Sequence, residues 1–201
     1  MKRLFFLLVM MTAAMPALAQ QESLVGGDSV TYGGFGGAIL KMTRIYGESA
    51  WMVGARGAWM FNRRFYVGGG AYGLATDIQA PVKVRQEFLR DNLELDMVYG
   101  GMELEYIVAS NKLVHWSVYS LIGAGNVGFA DETASNEKDF DKMDAVFVVE
   151  PALNATVNVT KWFRVSAGVS YRRIFDFQLA GADGSDVSGL AGALTLRFGK
   201  F

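Results

Sequence analysis

The sequence contains a single histidine, and a serine two residues away is the clearest candidate partner for nucleophilic catalysis. In a strand, His115 and Ser117 would point to the same face, where a histidine can act as the base for a serine hydroxyl. No G-x-S-x-G motif accompanies them, and His115 adjoins Trp116 beside a predicted turn. We therefore favour a polar residue at an interface and predict a protein that is not an enzyme and needs no cofactor or metal.

Charged side chains form a second group that could do chemistry. Over most of the chain, apolar residues alternate with polar or small ones, and the charges share the parity of the small residues. Charges of both signs on one face of a closed sheet would either line a pore or form salt bridges that fill the interior. We favour a salt-bridged plug. The predicted interior charge network comprises Arg56, Glu94, Asp96, Glu103, Glu105, Glu150, Arg172 and Arg197.

Two positions need special treatment under this hypothesis. Glu94 and Asp96 have even parity, whereas Glu103 and Glu105 have odd parity. One extra residue at Gly100–Gly101 would turn all four inward, so we predict a β-bulge there. A proline also cannot donate to a strand ladder, and a second bulge is predicted beside Glu150, at Pro151.

The longer polar segments are predicted to be loops. The segment 131–144 carries six carboxylates, and Asp139, Asp141 and Asp144 could hold a calcium ion. It lacks the glycine and the terminal glutamate of an EF-hand, so a solvated acidic loop is favoured. The segment 77–91 mixes basic and apolar residues, and we expect it either to extend the barrel as a hairpin or to form an ordinary loop.

The N-terminus has the pattern of a secretory signal. Lys2 and Arg3 precede an apolar stretch, and Ala17-Leu18-Ala19 is a small-x-small cleavage site. We predict a cleaved signal peptide over residues 1–19 and one domain over residues 20–201. The chain has no cysteine, and its 19 basic residues nearly balance its 20 acidic ones. Disulfides are therefore excluded, and nucleic acid is not an expected partner.

Eight alternating segments predict an all-β fold, an antiparallel up-and-down barrel of eight strands. Short connections alternate with longer polar ones, apart from Ile45–Ser49, which is short where a longer loop is expected. This is the order of periplasmic turns and external loops in an outer-membrane barrel. The predicted strands are Thr31–Arg44, Ala50–Phe61, Phe65–Thr76, Asn92–Val108, Leu113–Phe129, Ala145–Val159, Phe163–Phe177 and Val187–Phe198.

A soluble barrel would also alternate, but two observations favour a transmembrane one. The apolar parity carries large side chains along whole strands, while the opposite parity carries charges, which a small soluble barrel cannot keep inside. Trp51 and Trp59 share a face and would lie about 21 Å apart along the barrel axis. That spacing approaches the height of the apolar band between aromatic girdles. The predicted membrane-interface aromatics are Trp51, Trp59, Trp116, Trp162, Phe198 and Phe201.

These features together resemble the small outer-membrane β-barrels of the OmpA/OmpX type. The resemblance rests on the signal peptide, the eight segments, the order of turn lengths and the aromatic last strand, "GLAGALTLRFGKF". It implies a protein of the cell outer membrane, surrounded by lipid and folded by the barrel-assembly machinery. Phe198 is in phase with the apolar residues of this strand. Phe201 is out of phase, and is expected either to bend back to the interface or to serve as the assembly tag alone.

The fold alone does not determine the function. We expect a monomer with a structural or surface-interaction role, in which the external loops would contact a partner of unknown identity. A narrow channel or small-solute transporter is the first alternative, and a lipid-modifying barrel enzyme is the second.

Overall fold

In the computed structural model, which describes residues 31–89, 92–131, 139–179 and 182–201, eight long strands form the wall of a closed barrel. Each alternates buried and exposed residues, as expected for a sheet with one buried face. The strands of the wall are β1 (Tyr32–Ile45), β2 (Glu48–Phe61), β3 (Phe65–Leu74), β4 (Leu93–Val108), β5 (Val114–Asp131), β6 (Asp139–Asn158), β7 (Phe163–Phe175) and β10 (Gly189–Lys200).

All neighbouring strands of the wall are antiparallel, and each pairs with the next one along the chain. The last strand, β10, returns to pair with β1 from Gly34↔Lys200 to Thr43↔Ala191, which closes the sheet. The fold is therefore an all-β, antiparallel, eight-stranded up-and-down barrel, as the sequence predicted. A closed barrel leaves no strand edge unpaired.

The two ends of the barrel differ. At one end, which we call the turn end, residues 62–64, 109–113 and 159–162 connect the strands and the chain finishes at Phe201. In the first turn, Asn62 and Arg63 both have positive φ, 50° and 56°, as the central residues of a type I′ hairpin do. The opposite end, which we call the loop end, carries the connections after β1, β3, β5 and β7.

Short elements cap the loop end. After β3, helix α1 (Val82–Phe88) ends at Leu89, which has φ 52°. After β7, a small hairpin of β8 (Gln178–Leu179) and β9 (Ala182–Asp183) leads into helix α2 (Gly184–Val187). Residues 77–91 were expected to form either a hairpin or an ordinary loop. Gln79 forms an isolated antiparallel bridge with Glu94 at the start of β4, and α1 follows, which the sequence did not predict and which the buried side chain of Val84 anchors.

The start of α2 is a capping box. The Asp183 carboxylate accepts hydrogen bonds from the Ser185 hydroxyl at 2.5 Å and from the Ser185 backbone N–H at 2.6 Å. In return, Asp186 accepts from the Asp183 N–H at 3.1 Å. The bonds from Ser185 hold the pKa of the Asp183 carboxyl below its usual range. This motif fixes the direction in which the chain enters α2.

The caps complete an apolar cluster inside the loop end. Ile78 and Val84 from the connection after β3 meet Val187 from α2, and all three are almost fully buried. The wall contributes inward-facing residues of the same cluster, among them Met97 and Val148. This loop-end cluster gives the upper interior a dry core, which burial of apolar surface stabilises.

The predicted bulges are both wrong. The pairing of β4 with β3 and with β5 runs without a shift through Gly100 and Gly101. At Pro151 the register between β6 and β5 is also continuous, and pairing with β7 resumes in the same register after a gap at Glu150 and Pro151. The gap accommodates the missing N–H of proline without an extra residue. The register shift that does occur lies between Phe129 and Ala130, opposite β6.

Most predicted strand ends lie within two residues of the observed ends, and the exception is β6, which begins at Asp139 rather than Ala145. The predicted signal peptide, residues 1–19, lies outside the described residues. Within the described part of the chain, no helix is long and apolar enough to cross a membrane.

Close strand contact at Gly123 should make this position intolerant of a side chain. A Cβ on Gly123 would meet the backbone of Gly100 and come within 2.6 Å of the Gly101 Cα, whereas one on Gly192 would meet nothing within 4 Å. We expect Gly123→Ala to lower the free energy of unfolding by about 1–3 kcal/mol, as overpacking does. Urea unfolding of the protein folded into lipid vesicles measures this change.

The matched control is Gly192→Ala, for which we expect a change below about 0.5 kcal/mol, as at unconstrained surface positions. Equal stability of the two variants would contradict the close approach of β4 and β5.

Candidate functional site

Glu105 on β4 is the centre of a buried ionic network in the middle of the barrel. Arg197 from β10 donates to both of its carboxylate oxygens at 3.0 Å. Arg56 from β2 donates to it at 3.3 Å, and the Ser117 hydroxyl from β5 donates at 2.5 Å. These bonds bring three strands onto one carboxylate that is 3% exposed.

Glu103 lies two residues before Glu105 on β4 and also binds Arg56. Arg56 donates to Glu103 at 2.8 Å through its Nε atom, so one guanidinium joins the two carboxylates. Two tyrosine hydroxyls complete the site: Tyr119 donates to Glu103 at 2.8 Å, and Tyr72 makes a short hydrogen bond to the same oxygen. The Arg56 guanidinium lies 4.4 Å from the centre of the Tyr119 ring, which is a cation–π contact.

A third ion pair lies nearer the loop end. Lys41 from β1 donates to Glu150 from β6 at 2.7 Å. Tyr99 and Ser170 donate to the same carboxylate at 2.7 and 2.6 Å. The Lys41 ammonium also lies 3.7 Å from the centre of the Tyr72 ring, which links this pair to the Glu103 site. Every wall strand therefore contributes at least one side chain to the whole, which we call the central network.

The central network is electrically balanced. It pairs three carboxylates, Glu103, Glu105 and Glu150, with three cations. Each carboxylate accepts at least three hydrogen bonds, which offsets part of the cost of removing the charges from water. Nε and Nη2 of Arg197 are buried without a hydrogen-bond partner among the described residues. An eight-stranded barrel is only wide enough for its own side chains to fill, so the network occupies the middle of the interior.

Arg172, predicted for the same network, is buried above it and has different partners. Its guanidinium donates twice to the backbone carbonyl of Val187, at 3.1 and 2.9 Å, and once to the sulfur of Met52. Since Val187 ends α2, Arg172 ties the cap of the loop end to the wall.

Two of the predicted network members do not belong to it. Glu94 and Asp96 lie on the outward parity of β4, near the loop end, and both are half-buried. The uninterrupted register of β4 keeps them there. Both residues lie at the start of β4, where Glu94 pairs with Ala130 and Asp96 with Gly128 of β5.

The prediction also missed six members of the network. Two of them, Ser117 and Ser170, donate to Glu105 and Glu150, and the other four are a lysine and three tyrosines. Lys41, Tyr72, Tyr99 and Tyr119 were overlooked because β1 and β3 carry many glycines, which weaken the contrast between the two parities, and because tyrosine suits either face. A signal was present: Tyr99 has the odd parity of Glu103, and Tyr119 has the parity of Ser117.

The outer wall is almost uncharged. Its outward positions carry large exposed apolar side chains, such as Trp59 at 73% and Leu190 at 72% exposure. Among the side chains that the structure describes, the charged ones at outward strand positions lie near the two ends: Arg44, Glu94, Asp96, Arg173 and Lys200. In water such a surface would be unfavourable, since exposed apolar patches of this extent are rare on soluble monomers.

Aromatic side chains mark both ends of this wall. Trp59, Trp116 and Trp162 are exposed beside the three short turns, and Trp51 is exposed near the loop end. At the turn end, Phe198 stacks on Trp162 and Phe163, with ring centres 6.0 and 4.8 Å apart.

Phe201 is the exception among the predicted interface aromatics. Its ring stacks on Phe35, with centres 6.3 Å apart, and lies 3.9 Å from the guanidinium carbon of Arg164. Phe35 is buried inside the barrel in a small apolar cluster with Tyr66 and Met60. The chain thus turns inward after Phe198, and Phe201 lies in the mouth of the turn end.

His115 and Ser117 are both buried and face inward, but each has a different hydrogen-bond partner. Ser117 donates to Glu105, while Nδ1 of His115 lies 3.4 Å from the carbonyl oxygen of Lys112.

Of the proposed calcium ligands, the side chains of Asp139 and Asp141 and residues 132–138 of the loop lie outside the described residues. Elsewhere in the described chain, no group of three or more His, Cys, Asp or Glu side chains could hold a metal ion.

Comparison with known proteins rests on structure. No protein-family model matches the sequence, and no curated protein matches it. Among solved structures, the chain is similar to Neisserial surface protein A, with a TM-score of 0.56 and 12% identity over 87% of this chain and 100% of the other. It is also similar to the N-terminal β-barrel domain of Pseudomonas aeruginosa OprF, with a TM-score of 0.53 and 9% identity over 85% of this chain and 99% of the other.

Both are small eight-stranded outer-membrane barrels, the class that the sequence resembles. At these identities the likeness establishes the fold.

Removing the central carboxylate should be costly because it leaves two arginines buried without their shared partner. We expect Glu105→Gln to lower the free energy of unfolding by about 3–5 kcal/mol, measured by urea unfolding in lipid vesicles. Glu48→Gln, at an exposed strand end, is the control and should change it by less than about 0.5 kcal/mol.

A double-mutant cycle with Arg197→Met separates the pair from general damage. The Glu105→Gln/Arg197→Met double variant should be less destabilised than the sum of the two single variants, because each removes the partner of the other. Strict additivity would show that the two side chains do not interact.

Proposed function

We propose that the chain is an integral protein of the cell outer membrane, with a structural or surface-interaction role and no catalytic activity. The observation that carries this proposal is the distribution of polarity across the wall. Large apolar side chains cover the outside, while three carboxylates and three cations pair on the inside. A soluble barrel needs the reverse arrangement.

A bilayer would favour this apolar outer wall energetically. Each Å² of apolar surface removed from water contributes roughly 25 cal/mol, so burying side chains as exposed as Trp59, Trp116 and Leu190 in lipid is strongly favourable. The tryptophans near the two ends suit the two membrane–water interfaces, where aromatic girdles lie about 25 Å apart.

The polar surface beyond the wall suggests where interaction occurs. Outward charges begin at Arg44, Asp96 and Arg173, toward the loop end, and mark where the strands leave the apolar layer. The connections beyond them would face the cell exterior if the short turns face the periplasm, as in barrels of this class. One of the similar barrels is called a surface protein, and we infer a surface partner at the same end here.

Transport is the rival function, and the charges of both signs across the lumen are the observation that favours it. Three barriers oppose it: the central network, the apolar cluster at the loop end and the cluster around Phe35 at the turn end. A hydrated ion would have to displace all three. Enzymatic catalysis has less support, because the Ser117 hydroxyl donates its hydrogen bond to Glu105 and not to His115.

The closed lumen gives an electrical prediction. The purified protein inserted into planar lipid bilayers should produce no discrete conductance steps, under conditions in which an open porin gives them. Reproducible steps that disappear in a Lys41→Met/Glu150→Gln variant would instead establish a conducting path through the central network and support transport.

Membrane location has its own test. The protein should fractionate with the outer membrane, and its unheated form should migrate differently from its boiled form on a denaturing gel, because a folded barrel resists detergent at room temperature. Recovery of the folded protein in the soluble periplasmic fraction would refute the proposal.

A further inference from the structure

A cavity of about 480 Å³ opens at the turn end of the barrel. All three short turns contribute to it, together with strand β7 and the end of the chain. We call it the turn-end cavity, and its lining residues are Arg63, Ser110, Asn158, Val159, Thr160, Lys161, Arg164 and Phe201. It is separate from the central network, and the proposed function assigns it no role.

The charged side chains that line this cavity are all cationic. Arg63, Lys161 and Arg164 line it, and none of the residues that line it is an Asp or Glu. Cations gathered in a partly enclosed space raise the local concentration of anions. The cavity is therefore suited to an anionic ligand.

Arg164 is held ready for such a ligand. The ring of Phe201 lies 3.9 Å from its guanidinium carbon, and its Nη1 donates to the Tyr66 hydroxyl at 3.4 Å. Its Nε–H is buried and has no hydrogen-bond partner among the described residues. A buried donor without a partner is unfavourable, and an oxyanion that reaches it after a shift of the side chain would recover part of that cost.

Asn158 offers an acceptor and therefore calls for a hydrogen-bond donor on the ligand. Its amide donates to the carbonyl of Lys112 at 2.9 Å, whereas its Oδ1 is buried and has no partner among the described residues. The ligand must then offer acceptor oxygens to Arg164 and a hydroxyl or amine hydrogen to Asn158. A phosphate group that is protonated, or that adjoins a hydroxyl or amine, offers both, and guanidinium groups bind phosphate in a bidentate manner.

We propose that the turn-end cavity binds a phosphate group, with Arg63, Lys161 and Arg164 as its cationic contacts and Asn158 as an acceptor for a neighbouring donor hydrogen. The group can belong to a free phosphorylated solute or to the headgroup of a lipid at the adjoining interface, where Trp162 and Phe198 are exposed.

The test compares two sources of phosphate with the full-length protein folded in maltoside micelles, which contain no phosphorus. Inorganic phosphate is titrated in one arm and dihexanoyl phosphatidylglycerol in the other, and binding is followed by ³¹P NMR linewidth. We expect the wild type to bind at least one probe. Arg63→Gln/Lys161→Gln should weaken that binding at least tenfold, because two of the three cationic contacts are lost. Both residues lie in exposed turns, so their loss leaves the central network intact.

The matched control is Arg44→Gln/Lys83→Gln, which removes the same charge at the loop end and should bind as the wild type does. The gel shift on heating verifies that each variant is folded. Binding of inorganic phosphate identifies a soluble ligand, and binding of the lipid alone identifies a headgroup. Absence of binding to both probes, or equal weakening in the two double variants, overturns the proposal.

Discussion

Closure of the sheet by the pairing of β1 with β10 is the constraint on which the other features of the barrel depend. It removes the strand edges and confines half of every strand's side chains to an interior that eight strands make only wide enough for those side chains to fill. Charged groups in that space cannot reach water, so each needs partners inside the barrel. Three carboxylates pair with three cations, and the fourth buried cation, Arg172, donates to the carbonyl of Val187.

The central network also specifies how the wall is assembled. Lys41 comes from β1, Arg56 from β2, Glu105 from β4, Glu150 from β6 and Arg197 from β10. A slip of one residue in any of these strands would turn its charge toward the outside and leave its partner buried alone. The ion pairs therefore penalise every slip by an odd number of residues in these five strands, in addition to any net stability that they supply.

Much of this architecture could be predicted from the alternation of residues, because a half-buried strand imposes a period of two. The strands, their order and most inward charges followed from that period. The two predicted bulges are absent. The one at Gly100–Gly101 was inferred on the assumption that all of β4 lies at membrane depth, and the one at Pro151 because proline lacks an N–H, which a gap in the pairing with β7 accommodates. The helix α1 and the inward turn of Phe201 depend on contacts between distant parts of the chain, which local periodicity does not predict.

The loop-end cluster has a kinetic consequence. Its members Ile78 and Val84 come from the first half of the chain and Val187 from near its end, so they meet only after most of the chain is ordered. Contacts between such distant residues are slow to form because the entropy of loop closure must be lost first. Interactions that form after the transition state govern the rate of unfolding rather than that of folding. The small cap of α1 and α2 would thus act chiefly on how long a barrel persists once it has formed.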